Sequence, residues 1–162
     1  MSKSEKKKKL SPAELRILKD LETADTLTGI AIKFPDPDDV KHFLIRIHPS
    51  EGIWKNGNFD FEFTMTDEYP FERPAVQCKT KLWHPNIQLY GPVCLNILRE
   101  KYTPAIPLSN LILGIQYLFL EPNPNDPLNV EAAEEFTKDN IKFRVHAHDY
   151  MLHYCPAKAN FD

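Results

Sequence analysis

The sequence predicts an α+β domain built on an antiparallel sheet. Three observations point there. Between Asn58 and Met65 the chain alternates strictly, with Phe59, Phe61, Phe63 and Met65 on one side and Asp60, Glu62 and Thr64 on the other, the period of a half-buried strand. Between Leu108 and Phe119 the apolar residues Leu108, Leu111, Ile112, Ile115, Leu118 and Phe119 follow helical spacing. The strand signals all precede that helix, so strands and helices are segregated and not interleaved.

The elements follow in order. Ser11-Pro12-Ala13-Glu14 is a helix start, with Ser11 as cap, Pro12 in the first turn and Glu14 at the capping-box position. Leu15, Leu18 and Leu21 then supply an apolar face to about residue 22. Strands are expected at Gly29–Phe34, Val40–Ile47, Asn58–Met65 and Ala75–Thr80, forming a meander with one face for a helix to cover. Asn56-Gly57 signals a tight turn between the second and third. Tyr69-Pro-Phe-Glu-Arg-Pro74 reads as a stiff loop. Residues 81–107 hold Pro85, Pro92, Pro104 and Pro107 with little periodicity, and so long an irregular stretch in a small domain is usually functional. After the central helix, Asn129–Phe136 and about Lys138–Tyr154 complete the helices. Leu113, Tyr117 and Leu120 lie outside the central helix's core stripe and suggest burial on two sides or a partner surface.

Composition bounds the function. With 162 residues, 42% hydrophobic and 27% charged, the chain is long enough for one domain with a real core. No apolar run approaches the roughly 20 residues of a membrane span. The start MSKSEKKKK carries +4 while the remainder carries −7. It reads as a basic flexible tail over residues 1–10, ahead of a core at 11–156 and a short tail at 157–162. The acidic body disfavours nucleic acid. The absence of a signal peptide points to the cytosol or nucleus. Cys78, Cys94 and Cys155 are an odd set without a C-x-x-C pair, so neither a disulfide framework nor a metal site is expected.

Cys94 is the informative cysteine. Cys78 falls in an expected strand, and a cysteine there is usually core. Cys94 instead follows Gly91-Pro92 inside the irregular stretch. A protease-like set of Cys94, His84 and Asn86 is disfavoured, because Pro85 locks His84 and Asn86 into one rigid turn. His84 is better suited to bracing the loop. Asn86 has donors and an acceptor that could hold a loop or serve an oxyanion. No Lys or Arg lies within four residues of Cys94, which implies a modestly reactive thiol, about 3% thiolate at pH 7 if unperturbed.

The segment WHPNIQLYGPVCLNIL, Trp83–Leu98, resembles the active-site segment of ubiquitin-conjugating enzymes. YPFERP resembles that family's loop before the fourth strand, and NPNDPLN resembles its loop facing the cysteine. FPDPDDV, CLNILRE and GIQYLFLEPNPNDPLNVEAAE resemble the branch that conjugates the Nedd/Rub modifier to cullins. Two features depart from that pattern: MSKSEKKKK has no apolar residue after Met1, and Tyr102 stands where Trp is frequent.

The resemblance implies that Cys94 accepts a modifier's C-terminal glycine as a thioester and passes it to a substrate lysine. Asp126 would orient and deprotonate the amine, with His84, Pro85, Asn123 and Leu128 supporting the gate. Asp126 is also placed to cap a turn before Pro127, and both roles can hold. Phe71, Pro104 and Ala105 would meet a ring-type ligase, and Leu113 and Tyr117 the linked modifier. The implied partners are the modifier, its activating enzyme, a ligase and a cullin, with no cofactor and a monomeric enzyme. The alternatives are a ubiquitin-specific enzyme of the same fold, a non-catalytic binding variant, and a cysteine hydrolase.

Overall fold

The first helix, α1 (Pro12–Ala24), begins with the expected capping box. In the computed structural model, which describes residues 9–161, Ser11 Oγ accepts from the Glu14 amide and Glu14 Oε1 from the Ser11 amide, each at 3.1 Å. Most of the basic N-terminal run therefore lies outside the described residues. The buried face of α1 is not the leucine row. Ala13, Ile17, Asp20, Leu21 and Ala24 point inward, while Leu15 is 56% exposed. At about 100° per residue, Leu15 lies about 180° round the helix from Ala24, at the centre of the buried set, and Leu21 alone of the leucine row falls within that set.

Four strands form the sheet in the order β1-β2-β3-β4, every pair antiparallel: β1 (Ile30–Lys33), β2 (His42–Ile47), β3 (Phe59–Thr64) and β4 (Ala75–Cys78). The register sets Phe43 opposite Phe63, Ile45 opposite Phe61 and Ile47 opposite Phe59, so one face of β2 and β3 is wholly apolar and buried. Helix α2 (Leu108–Leu120) fills that face with the six residues its spacing marks. Phe119 stacks on Phe59 with centroids 4.7 Å apart. Helices α3 (Val130–Lys138, capped by Asn129) and α4 (Asn140–Tyr154) follow.

The link from β2 to β3 differs from expectation. It is no two-residue hairpin but a loop from His48 to Asn58. The loop carries Trp54 into the core, where it stacks on His84 at 4.4 Å and meets Phe119 and Phe143 edge-on, each at 5.8 Å. Asn56 takes the left-handed conformation, φ 69°, that turns the chain into β3. Gly57 is needed for closeness: a Cβ there would lie 2.6 Å from the Phe59 ring.

Residues 81–107 are irregular apart from a 3-10 turn at Asn96–Leu98, as the prolines suggested. Cys155, which the sequence leaves without a role, is half-buried against the core. The last described residues lie on β2: Arg46 donates to the carbonyls of Lys158 (3.2 Å) and Asn160 (3.4 Å), and its guanidinium sits 4.1 Å from the Phe161 ring centroid. Among the described residues no helix is long and apolar enough to cross a membrane.

Candidate active site

The irregular segment is held from beneath by a buried histidine. His84 Nε2 lies 2.8 Å from the Leu118 carbonyl near the end of α2, and Nδ1 accepts from the Asn86 amide at 2.9 Å. One nitrogen must donate and the other accept, so the ring is neutral. Burial against Trp54 pushes its pKa down to about 4, with the Leu118 bond opposing in part. His84 is thus a brace, as expected, and offers no proton to Cys94.

Asn86 joins two loops. Its amide nitrogen donates to the carbonyls of Asn123 (2.8 Å) and Asp126 (3.1 Å), and its Oδ1 accepts from the Asn123 amide at 2.8 Å. Both amide hydrogens and the carbonyl are engaged by the 123–126 loop. Pro85 adds to this clasp, its carbonyl accepting from the amides of Leu128 (2.8 Å) and Asn129 (3.0 Å). Asn123 Oδ1 accepts from the Asn125 amide at 3.1 Å, shaping the loop from within. The Cys94 amide donates to the Asn86 carbonyl at 3.0 Å, so the same asparagine residue fixes the cysteine and the loop opposite.

Cys94 is partly exposed. Its Sγ lies 3.4 Å from the Asp126 carbonyl and 3.7 Å from Asp126 Oδ2, and that carboxylate is 73% exposed. The third member was missed by sequence reasoning. Arg99 Nη2 reaches Sγ at 3.3 Å and lies 3.8 Å from Asp126 Oδ2. Arg99 lies five positions along the chain, just outside the four-residue window that holds no Lys or Arg. The 3-10 turn at Asn96–Leu98 folds the chain back, so a residue five positions on touches the sulfur. The signal was present in the CLNILRE motif, five residues after the cysteine. The thiol's pKa is raised by partial burial and by Asp126, with Arg99 pulling it down. Cys78, by contrast, is fully buried, and burial pushes its thiol up to about 12.

The remaining candidate residues fall into two surfaces. Phe71 is 79% exposed, and Pro104 and Ala105 are exposed on a neighbouring loop. The loops are fastened to each other and to α1. Tyr102 donates to the Pro70 carbonyl (2.6 Å), Arg16 to the Pro104 carbonyl (3.0 Å), and Asp20 accepts from Tyr69 (2.7 Å) and the Leu108 amide (3.3 Å). Leu113 and Tyr117, 42% and 59% exposed, lie on the outer face of α2. Between them Gly114 permits contact with the active-site segment, since a Cβ there would sit 2.8 Å from Leu95 Cδ2.

A surface cysteine faced by an acidic loop, on a meander covered by one helix, is the architecture of the ubiquitin-conjugating enzymes, and the chain belongs to that family: the family model described as ubiquitin-conjugating enzyme matches residues 16–151. The enzyme therefore works with a ubiquitin-like modifier and that modifier's activating enzyme. Its relatives narrow the comparison. It is 42% identical over 160 residues to a Drosophila melanogaster protein named Nedd8-conjugating enzyme UbcE2M, covering 99% of this chain and 88% of that one. It is 46% identical over 136 residues to the NEDD8-conjugating enzyme Ubc12 of Arabidopsis thaliana, covering 83% and 73%. The solved structure of S. cerevisiae Ubc12 superposes with a TM-score of 0.78 at 38% identity, covering 87% of this chain and 80% of that one.

Proposed function

We propose that this enzyme carries a Nedd8-type modifier as a thioester on Cys94 and transfers it to a lysine of a cullin. The observation that supports the modifier is similarity to Nedd8-conjugating enzymes along nearly the whole chain. The observation that supports the chemistry is the meeting of Cys94 Sγ with Asp126.

Charging is a thioester exchange. Thiolate Sγ attacks the carbonyl carbon of the modifier's activated glycine, and the activating enzyme's sulfur leaves with the electron pair. Discharge follows when a lysine amine attacks the same carbon, the C–S bond breaks, and the amine loses a proton. Asp126 is the acid placed to orient that amine and take the proton. Its side chain is 73% exposed, open to an incoming amine. Asn86 acts as a positioning residue: its side chain is engaged by the 123–126 loop, which it holds over the sulfur. His84, Pro85, Asn123 and Leu128 complete that clasp. Phe71 with Pro104 and Ala105 forms the ligase surface, and Leu113 with Tyr117 the surface for the linked modifier. The enzyme works as a monomer in the cytosol and nucleus.

The test is a charging time course with the Nedd8 and the ubiquitin activating enzymes, each with its own modifier, on non-reducing gels. Charging with Nedd8 should be at least about tenfold faster, a difference of ~1.4 kcal/mol. Thiol reductant should remove the adduct. Cys94→Ser should instead form an adduct that survives reductant. Faster charging with ubiquitin would reassign the modifier, and a labile adduct on Cys94→Ser would displace Cys94.

A further inference from the structure

We propose that Arg99 is a catalytic residue of this site, holding the negative charge on Cys94 Sγ both when the thiolate attacks and when it is expelled. The geometry is direct. Arg99 Nη2 donates to Sγ at 3.3 Å, and the same nitrogen lies 3.8 Å from Asp126 Oδ2. On its other side Arg99 Nε is 3.9 Å from Glu100 Oε2. The guanidinium is therefore steered by two carboxylates while one N–H points at the sulfur. From the loop opposite, Asp126 is the charged group facing Cys94. From beneath comes the backbone carbonyl of Asn86, which accepts from the Cys94 amide, and from α2 the close approach of Gly114 to Leu95. Among these neighbours, Arg99 alone favours the ionised sulfur.

The charge on sulfur changes twice in the cycle. In the free enzyme Sγ must become thiolate before it can attack. In the charged enzyme Sγ is a neutral acyl sulfur and a poor acceptor, so the guanidinium's near anionic partners are Asp126 and Glu100. When the amine adds to the carbonyl carbon, the C–N bond forms, the C–S bond breaks, and the pair returns to Sγ as thiolate. Arg99 then stands beside the leaving group it stood beside as nucleophile. One fixed cation thus serves both half-reactions, because the same atom bears the charge in each.

The role has a signature that a packing role lacks. A cation beside a thiolate lowers its pKa but also its intrinsic nucleophilicity, with a Brønsted slope of about 0.4–0.5. Removing it should make the thiol slower at neutral pH and faster at high pH. The measurement is iodoacetamide alkylation of Cys94 in the full chain from pH 6 to about 11.5, followed on the Cys94 peptide by mass spectrometry. Arg99→Ala should move the inflection up by about 0.5–1 pH unit. The rate at pH 7 should fall about 2–4-fold, the high-pH plateau should rise about 2–3-fold, and the two profiles should cross. Arg99→Lys should keep the inflection near that of the parent, and Asp126→Asn should move it down. An unmoved inflection in Arg99→Ala, or a uniform loss of rate at every pH, would overturn the proposal.

The second half rests on the conjugating function and is read separately. Single-turnover discharge of charged Arg99→Ala to free lysine should slow several-fold, and Arg99→Lys should restore most of it. Normal discharge in Arg99→Ala would remove the leaving-group role. A shifted alkylation profile in an enzyme that prefers ubiquitin would keep Arg99's role and dismiss only the modifier.

Discussion

The inner and outer halves of the active site are built by opposite rules. The inner half is His84 and Asn86, both buried, with partners at 2.8–3.1 Å for every side-chain polar atom. The outer half is Cys94, Arg99 and Asp126, partly or largely exposed, with contacts of 3.3–3.8 Å. A buried polar group without its partner costs about 1–3 kcal/mol, so the inner half tolerates no loss. The outer half is solvated, and its groups contribute little to folding. Stability is therefore carried by the inner residues, and a substitution in the outer half should change rate without changing stability.

The largest effect should come from the buried histidine. His84→Gln cannot donate to Leu118 and accept from Asn86 in the fixed geometry of the ring, and it loses the Trp54 stack. We expect a loss of roughly 2–4 kcal/mol in denaturant unfolding. The loss should depend on pH. His84 sits near pKa 4 in the fold against an ordinary 6.5, so the unfolded chain binds the extra proton between those values. The stabilisation is fully present above pH 6.5 and is lost as pH falls toward 4, by about 3 kcal/mol in all. The parent and His84→Gln should therefore converge as pH drops. A gap that stays constant from pH 7 to 4 would mean that the ring is not held neutral by burial.

The next contrast sets Asn86 against Asp126. Asp126→Ala should leave the unfolding midpoint nearly unchanged and slow discharge to lysine about 10²-fold, with charging nearly normal. Asn86→Ala should also slow discharge, but by freeing the loop, and should cost roughly 1–3 kcal/mol of stability. Hydrogen exchange at the Asn123 amide, which donates to Asn86 Oδ1, tells the two apart. It should accelerate in Asn86→Ala and stay slow in Asp126→Ala. Slow exchange in both would return Asn86 to an oxyanion role.

The smallest intrinsic effect should be at the ligase loop. Phe71→Ala removes an exposed ring and should change stability by less than about 0.5 kcal/mol and leave unassisted discharge to lysine as it was. Ligase stimulation should be lost. Full stimulation in this variant would place the ligase on another surface.

Sequence periodicity was sufficient wherever one buried face decides the structure. Phe59, Phe61 and Phe63 alternate because a strand has period two, and the six core residues of α2 repeat at helical spacing because one stripe meets the sheet. Capping by Ser11 and Glu14 is local chemistry and was legible as such. The cysteine and its facing loop were legible as motifs. Three things were not. The inward face of α1 is set by Ile17, Leu21 and two alanines, and Leu15 of the louder leucine row faces outward. The Asn56-Gly57 signal was overridden because Trp54 has to reach His84 and Phe143, and a two-residue turn leaves no chain to carry it. Arg99 lay too far along the chain to register as a neighbour of Cys94.

The sequence by itself determined the element order and the buried faces of β3 and α2, since each depends on spacing over a few residues. Only the tertiary structure decided that Asn86 is engaged by the Asp126 loop and that Arg99 stands at the sulfur. Both depend on distances across loops: 40 positions separate Asn86 from Asp126, and a 3-10 turn lies between Arg99 and Cys94. Irregular backbone has no period, so the position of a side chain on it is fixed by the packing beneath and not by the residues on either side.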